Sequence, residues 1–156
     1  MTDAVSDRLA ALGITLPEPA APVAAYVPAL EVGGLLYISG QLPFREDGSL
    51  ITGRLGADLD TEHGRLAAER CGVMLIAQMK KALGSLDRVE RVVKLGAFVA
   101  SDPHFTDQPK VANGASELME KAFGEAGRHA RSAVGVPVLP LGAAVEVDAI
   151  VAVKAD

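Results

Sequence analysis

The chain has 156 residues, of which 49% are hydrophobic and 4% aromatic, and its formal net charge is -5. A chain of this length buries a substantial core, so we predict a single domain over residues 1–156. The acidic balance and the absence of Trp argue against nucleic-acid binding, which depends on Lys and Arg at phosphates and on aromatic platforms for bases. No uncharged apolar run is long enough to cross a membrane, and the acidic N-terminus lacks the pattern of a signal peptide, which predicts a cytoplasmic protein.

Metal and disulfide chemistry have little support in the sequence. Cys71 is the single cysteine and the three histidines are scattered, so no motif has the spacing of a metal site. We therefore expect neither a metal nor an intramolecular disulfide. On its predicted helix, Cys71 is expected to be a small core residue.

Residues 1–22 are predicted to be an N-terminal extension made of a short helix and a linker. Apolar residues recur at helical spacing ahead of Gly13, namely Val5, Leu9 and Leu12. The prolines between positions 17 and 22 then prevent regular structure, which makes this stretch a linker into the main fold.

The main fold is predicted to begin with a β-hairpin. Residues 23–31 and 35–39 are apolar and β-prone, and a Gly-Gly pair forms the turn between them. The second strand runs into Ser39 and Gly40, where a glycine would let backbone amides approach a ligand. A turn is the more common role of such a glycine, so these residues alone leave both roles open.

Two helices and a central strand follow. The first helix is predicted from position 60 or 61 to 83, and the second from about 107 to 123 with a proline in its first turn. Between them, residues 91–99 are too apolar for a surface strand and suit the middle of a sheet. Asn113 lies in the second helix, where an amide is more often solvated than functional.

The last two strands carry a charge where strands usually bury hydrophobic residues. Residues 129–150 have the pattern of two apolar strands joined by a Pro/Gly turn, which predicts an antiparallel hairpin centred near positions 138 and 139. Its register sets Arg131 beside Glu146 on one partly buried face. Such a pair can be a structural ion pair, which is the commoner case. It can also be a site at which the guanidinium binds an anion and the carboxylate handles protons or water.

The order of elements is β-β-(β)-α-β-α-β-β, which predicts an α+β fold with two helices on one face of a sheet. The last strand alternates, with mainly valines on one face and Glu146, Asp148, Ile150 and Ala152 on the other. That second face would remain bare, and apolar residues on a bare face are typical of a subunit interface. We therefore predict an obligate oligomer.

Five short motifs follow one another after Val23: Tyr26, Ser39-Gly40-Gln41-Leu42-Pro43, Asn113, Ala130-Arg131-Ser132 and Val145-Glu146-Val147. Their order, and the spacing from Arg131 to Glu146, resemble the reactive intermediate deaminase (RidA) family. This family is also called the YjgF/YER057c/UK114 or endoribonuclease L-PSP family. The similarity covers nearly everything after Val23.

The resemblance implies a chorismate-mutase-like (YjgF-like) mixed β-sheet with two long helices on one face. It also implies a homotrimer whose sheets line a central β-barrel, with three clefts between subunits. Members of this family hydrolyse an enamine or imine, such as 2-aminoacrylate, to a 2-keto acid and ammonia. No metal or cofactor is implied, because an iminium carbon is already electrophilic.

Residue roles come from the same resemblance. Arg131 would bind the substrate carboxylate through its planar fork, a task that Lys performs less well. Glu146 would orient water for attack on the imine carbon and move its proton. The remaining expected cleft residues contact the substrate or line the cleft, and they are Tyr26, Ser39, Gly40 and Asn113.

The chain departs from the family pattern at several positions. Residues 24–27 read Ala-Ala-Tyr-Val where Gly-Pro-Tyr-Ser is common, so the first strand would enter the cleft differently. Ala133 stands where many active members carry Cys or Thr, and Gly135 where a larger residue is common. His129, next to Arg131, could be a ligand group, but a histidine at the end of a strand more often faces solvent. These departures are typical of a divergent subgroup.

Three functions remain as hypotheses. The first is a cofactor-free deaminase whose partners are a small 2-imino or 2-keto acid and other copies of the chain. The second is a sensor or carrier that holds a small carboxylate without turnover, which the loss of a hydroxyl or thiol at Ala133 favours. The third is an endoribonuclease or translation inhibitor. The family's name suggests this activity, whereas the acidic balance and scarce aromatics argue against it.

Overall fold

The computed structural model of the protein describes residues 3–22 and 24–156. Its helices and strands lie in the order α1 (Ala4–Ala11), β1 (Ala29–Val32), β2 (Leu35–Gln41), α2 (Thr61–Leu83), β3 (Val89–Ala100), α3 (Gln108–Phe123), β4 (Ala130–Val136) and β5 (Val145–Val153). Val23, the expected start of the first strand, and residues 1 and 2 of the predicted extension lie outside the described residues. β1 begins at Ala29, later than expected, and a bend at 24–26 precedes it.

The long helices begin and end where the sequence predicts. The side chain of Asp60 accepts a hydrogen bond from the backbone N–H of His63 at 2.9 Å, which satisfies a free donor in the first turn of α2. Gly84 ends α2 with a positive φ. α3 has Pro109 in its first turn and is followed by Gly124.

One mixed sheet has the strand order β1-β2-β5-β3-β4. β3 pairs in parallel with β4 and antiparallel with β5, and the other pairs are antiparallel. β3 therefore lies between two neighbours, as predicted from its apolar sequence. The α+β prediction with a mixed sheet is confirmed.

α2 and α3 cover one face of the sheet. Alternate residues of β5, from Val145 to Val153, are buried beneath the helices, and the residues between them are half-buried. Cys71 on α2 is fully buried, and its thiol donates to the carbonyl of Val145 at 3.5 Å. Burial raises the pKa of the Cys71 thiol well above its ordinary value, so it remains protonated. Cys71 is the core residue that the sequence predicts.

The opposite face, here called the open face, carries Tyr37, Gly96, Phe98, Glu146, Asp148 and Ile150. Tyr37 is 42% exposed, and Phe98 and Ile150 are half-buried, so apolar surface is present there. Such a face is what a second copy of the chain would cover, and the oligomer stays a prediction.

The N-terminal helix α1 packs on the helical layer. Val5 and Leu9 are buried, and the Arg8 side chain donates to the carbonyl of Ala122 at the end of α3, at 3.1 Å. The Asp3 carboxylate accepts from the backbone N–H groups of Ser6 and Leu86 at 2.6 and 3.0 Å. Through these contacts residues 3–11 pack against the main fold.

No helix within residues 3–22 and 24–156 combines the length and the hydropathy that a membrane span requires. In the same residues, no group of three His, Cys, Asp or Glu side chains is placed to hold a metal ion.

Candidate functional site

Arg131 lies on β4 at the edge of the sheet. Its register partner on β3 is Leu95, a buried residue beneath the helices, so the Arg131 side chain extends along the helix-covered side towards α3. There Nη1 donates to Asn113 Oδ1 at 2.9 Å and to Ser116 Oγ at 3.1 Å. Nη2 donates to the carbonyl of Pro109 at 3.3 Å. Three oxygens of one helix therefore fix the guanidinium.

The three acceptors around Arg131 are an amide, a hydroxyl and a backbone carbonyl, and all are neutral. Within residues 3–22 and 24–156, no carboxylate lies within ion-pair distance of this guanidinium. Both hydrogens of Nη1 are used, which leaves Nε–H and one hydrogen of Nη2 without an acceptor in the described chain. A positive charge with two unused donors is suited to bind an anion.

Asn113 is expected from the family resemblance to line the cleft, although an amide in mid-helix is more often solvated, and in the structure it contacts Arg131. It accepts the hydrogen bond from Arg131 described above and is half-buried. Ser116, one helical turn further along α3, lies on the same side and contacts the same Nη1. Sequence reasoning missed Ser116, although its spacing from Asn113 was a usable signal.

His129 was expected to face solvent, but its ring is engaged on both nitrogens. Nδ1 lies 2.6 Å from the carbonyl oxygen of Gly127, and Nε2 lies 2.9 Å from Ser116 Oγ. Burial, together with the nearby positive charge of Arg131, lowers the pKa of His129 below its ordinary value. His129 is therefore neutral at pH 7 and belongs to the group around Arg131.

These residues surround an open depression of about 360 Å³, which is lined by Asn113, Ser116, Glu117, Glu120, Gly127, Arg128, His129 and Arg131. Two larger grooves of about 510 Å³ each run along the N-terminal segment, lined in part by Pro17 and Glu18. Arg131 and Glu146 line neither groove. The largest cavities therefore do not contain either of the two residues that the sequence predicts to be catalytic.

Glu146 lies in a different place, on the open face of β5. Its register partner is Phe98, and a Cβ placed on Gly40 would collide with its carboxylate, so Gly40 provides the space for Glu146. Burial, and then the charge of Asp148, raise the pKa of Glu146 above its ordinary value. Burial also raises the pKa of Asp148. A carboxylate with a raised pKa is better matched to proton transfer near neutral pH.

The predicted hairpin between the last two strands is wrong. β4 and β5 do not pair with each other but lie on opposite sides of β3, one parallel and the other antiparallel. Arg131 is in register with Leu95 and Glu146 with Phe98, and these neighbours point to opposite faces of β3. One copy of the chain therefore separates Arg131 from Glu146 by the thickness of the sheet.

Ser39 and Gly40 form a β-bulge in β2. Pairing passes from Ile38 with Ala149 to Gln41 with Val147, so two residues lie opposite Asp148 alone. The Ser39 hydroxyl donates to the carbonyl of Pro28 at 3.0 Å. The bulge places Ser39 and Gly40 near Glu146, as a group separate from Arg131 and Asn113.

Tyr26 precedes β1 in the bend and is 56% exposed. Its phenol group makes no hydrogen bond within residues 3–22 and 24–156. The predicted site residues thus form two groups, one at the sheet edge and one on the open face, with Tyr26 on the surface beyond β1. Their roles stay predictions.

The fold places this chain in a class of α+β proteins with a mixed five-stranded sheet and helices on one face. A family model described as "YjgF/chorismate_mutase-like, putative endoribonuclease" matches residues 6–152. The chain therefore belongs to the YjgF/RidA family, also called the endoribonuclease L-PSP family. The resemblance stated from the five motifs is confirmed.

Three relatives show the range of similarity. Protein TCP17 of Trypanosoma cruzi is 55% identical over 148 residues, which is 94% of this chain and 92% of that protein. A 2-iminobutanoate/2-iminopropanoate deaminase of Dermatophagoides farinae is 27% identical over 142 residues, 90% of this chain and 95% of the other. The crystal structure of protein Atu1372 from Agrobacterium tumefaciens has a TM-score of 0.90 at 49% identity, covering 97% of this chain and 95% of that one. The family includes imine deaminases and proteins described as endoribonucleases.

Proposed function

We propose that this protein is a cofactor-free hydrolase that deaminates small reactive 2-imino or 2-enamino acids to 2-keto acids and ammonia. The observation that carries the proposal is Arg131, whose charge has no carboxylate partner in the described chain and whose Nε–H and second Nη2–H are unused. A 2-imino acid carries a carboxylate that these two donors fit. The deaminase among the relatives acts on substrates of this class by its name.

The proposed reaction needs one water and one group that moves protons. Arg131 binds the carboxylate and so fixes the position of the imine carbon. Glu146 accepts a proton from water as the oxygen attacks that carbon, which gives a tetrahedral carbinolamine. Glu146 returns this proton to the nitrogen, which completes the neutral carbinolamine. It then takes the proton of the carbinolamine hydroxyl and passes it to the nitrogen as well, so that the C–N bond breaks, ammonia leaves and the keto group forms. An enamine first takes up a proton at carbon to become the imine.

The site requires two copies of the chain. Arg131 and Glu146 lie on opposite faces of one sheet, so a cleft that contains both must combine the edge of one copy with the open face of another. This agrees with the homotrimer and the three inter-subunit clefts that the family resemblance implies, and with the apolar residues of the open face. We propose that the open faces line a central barrel. Gel filtration that gives a monomeric mass would contradict this arrangement.

The test uses 2-aminoacrylate generated freshly by a second enzyme and measures ammonia release. Wild-type protein should accelerate it, and Arg131→Ala should lower the acceleration by on the order of 10²-fold, because the carboxylate loses its bidentate partner. Arg45→Ala is the matched control, since Arg45 bonds Ser49 in an exposed loop. Equal rates for Arg131→Ala and wild type would refute the proposal.

A second candidate function is binding of a small carboxylate without turnover. The observation that favours it is Ala133, which lies two residues from Arg131 on the same side of β4 and carries no hydroxyl or thiol. In that case 2-ketobutyrate would raise the melting temperature while no ammonia is released. Ala133→Cys and Ala133→Thr then test whether a polar group at this position supplies turnover.

Ribonuclease activity is named in the family description, but the net charge of -5 gives it little electrostatic support. RNA cleavage that persists through purification and disappears with a point substitution would support it.

A further inference from the structure

His129 is held in one tautomer by the groups on either side of its ring. The carbonyl oxygen of Gly127 only accepts hydrogen bonds, so Nδ1, 2.6 Å away, carries the hydrogen. In the neutral ring, Nε2 is then an acceptor, and the Ser116 hydroxyl at 2.9 Å donates to it. The same Ser116 oxygen accepts from Arg131 Nη1 at 3.1 Å. One hydroxyl therefore connects the imidazole to the guanidinium.

The carbonyl that orients His129 is itself fixed. Gly127 lies so close to the backbone of Met119 in α3 that a Cβ on Gly127 would overlap the Met119 carbonyl. Ser116 is on the same helix, so α3 positions the carbonyl, the hydroxyl and, through them, the ring. The geometry depends on one rigid element rather than on a surface loop.

We propose that His129 is a positioning residue for Arg131, and that carboxylate binding at Arg131 is coupled through Ser116 to proton uptake by His129. This inference rests on the proposed function, because it takes Arg131 as the anion-binding group.

The coupling has a definite sign. A carboxylate bound to Arg131 neutralises the positive charge that, together with burial, disfavours the imidazolium, so His129 titrates at higher pH in the complex. Linkage is reciprocal, so protonation of His129 tightens carboxylate binding by the same factor. In the protonated state Nε2–H donates to Ser116 Oγ, which has two lone pairs and still accepts from Arg131. Ser116 therefore keeps its hydrogen bond from Arg131 whether His129 is neutral or protonated.

His129 lines the depression beside Arg131 and a second, neighbouring depression. The other charged groups that line the two are Glu117, Glu120, Glu125, Arg91 and Arg128. Glu117 pairs with Arg65 at 2.7 Å, and Glu125 lies 4.0 Å from Arg91. Arg131 is the charged side chain that contributes to the lowered pKa of His129, after burial. The contacts that connect Arg131, Ser116 and His129 are therefore the ones to change in a test.

The experiment follows the His129 ring by NMR titration of the intact protein, with and without 2-ketobutyrate. Without ligand, the ring should be the Nδ1–H tautomer at neutral pH, and saturating 2-ketobutyrate should move its titration to higher pH. The Kd for 2-ketobutyrate should become about threefold tighter as pH falls through the His129 titration. The effect is small because solvent screens the attraction between the bound carboxylate and the imidazolium. His63, which contacts Asp60 at the start of α2, is the internal reference.

Three variants separate the contribution of the titrating ring of His129 from that of the connecting hydroxyl of Ser116. His129→Gln should bind 2-ketobutyrate with a Kd that no longer changes over this pH range. Ser116→Ala should weaken binding at neutral pH and reduce the shift of the His129 titration that 2-ketobutyrate causes, because the hydroxyl that connects the ring to the guanidinium is lost. Ser116→Thr keeps the hydroxyl and should restore both values.

Two outcomes distinguish the proposals. If 2-ketobutyrate binds through Arg131 while the His129 titration does not move, the coupling is wrong and the proposed function stands. If 2-ketobutyrate does not bind wild-type protein at all, both are wrong. A pH dependence of Kd that persists in His129→Gln would also overturn the coupling.

Discussion

The edge of the sheet and its open face treat charge in opposite ways. At the edge, Arg131 is surrounded by neutral oxygens that fix its direction without cancelling its charge. On the open face, Glu146 and Asp148 lie in a partly desolvated place where burial raises the pKa of both carboxyls. One region keeps an unpaired cation, and the other is adapted to hold a proton. These are complementary properties, but a single chain places them on opposite sides of its sheet.

The proposed site is therefore assembled from two incomplete halves. Each half is well built within one chain, since Arg131 has its supports on α3 and Glu146 has its space beside Gly40. The half at the sheet edge provides the guanidinium of Arg131, and the half on the open face provides the carboxyl of Glu146. A symmetric assembly brings unlike patches together whenever its interface is heterologous, as in a ring of three.

The largest effect is expected from mixing two inactive variants. Arg131→Ala and Glu146→Gln should each lose on the order of 10²-fold or more in activity, because each removes one half of the site. Co-assembly of the two variants at equal amounts should restore about a quarter of the wild-type activity, since one in four random interfaces pairs an intact Arg131 with an intact Glu146. Ammonia release is measured before and after the oligomers are dissociated and reassembled. No recovery after confirmed exchange of subunits would place both residues of a site in one copy.

A smaller effect is expected from a methyl group on the open face. Gly40→Ala would displace the Glu146 carboxylate and should lower activity about tenfold, as misplacement of a proton-transferring group does. Gly96→Ala is the matched control, because its Cβ would meet Asp148 instead. Activity should fall more in the Gly40 variant than in the Gly96 variant at similar melting temperatures. The reverse order would indicate that Asp148 rather than Glu146 handles the proton.

The raised pKa values of the two carboxyls on the open face can be tested by the pH dependence of stability, which needs no activity assay. Because the folded-state pKa values of Glu146 and Asp148 are raised, the fold loses stability as pH rises through the ordinary carboxyl pKa, and the loss is complete above the folded-state values. Glu146→Gln and Asp148→Asn should therefore raise the melting temperature at neutral pH, each by on the order of 1 °C after solvent screening. The gain should disappear below the ordinary carboxyl pKa values, where the wild-type groups are protonated in both states. Glu90→Gln, at an exposed position of β3, is the control.

The smallest effect on activity is expected at α1. Burial pushes the pKa of Asp3 upward, but hydrogen bonds from Ser6 and Leu86 and the charge of Lys80 hold it below its ordinary value. The ionised Asp3 thus stabilises the fold above its unfolded-state pKa, and this contribution is lost as pH falls through the lower folded-state pKa. Asp3→Ala should cost about 1 kcal/mol in urea unfolding at neutral pH and leave ammonia release unchanged. A loss of activity without loss of stability would connect α1 to the site.

Much of the fold could be predicted because its signals are local. The cap at Asp60, the glycine after α2 and the alternation along β5 depend on neighbours in the sequence, and the structure has them where they were expected. The partner of β4 could not be predicted this way. A Pro/Gly turn at 137–142 is typical of a hairpin, but pairing is decided by which edge of β3 each strand meets, and the local pattern carries no information on this.

Candidate site residues could be named from the sequence, but their arrangement in space could not be predicted from it. The motif resemblance indicated Arg131, Asn113 and Glu146, but only the register on β3 reveals that Glu146 is on the far side. The contact between His129 and Ser116 was missed because a histidine just before a strand has no periodic neighbour. Its partner Ser116 lies 13 residues earlier in the sequence, on a different element.

The parallel pairing of β4 with β3 limits which changes in chain length the protein tolerates. Successive residues of a strand point to opposite faces, so a one-residue change between α3 and β4 would turn Arg131 away from Asn113. An insertion would present Ala130 in its place, and a deletion would present Ser132. The connection from β4 to β5 has no such constraint, because its exposed residues, among them Val138 and Leu141, lie beyond both strands. Natural length variation among functional relatives should therefore accumulate at 137–141, ahead of the buried residues Ala143 and Ala144, and be absent from 124–129.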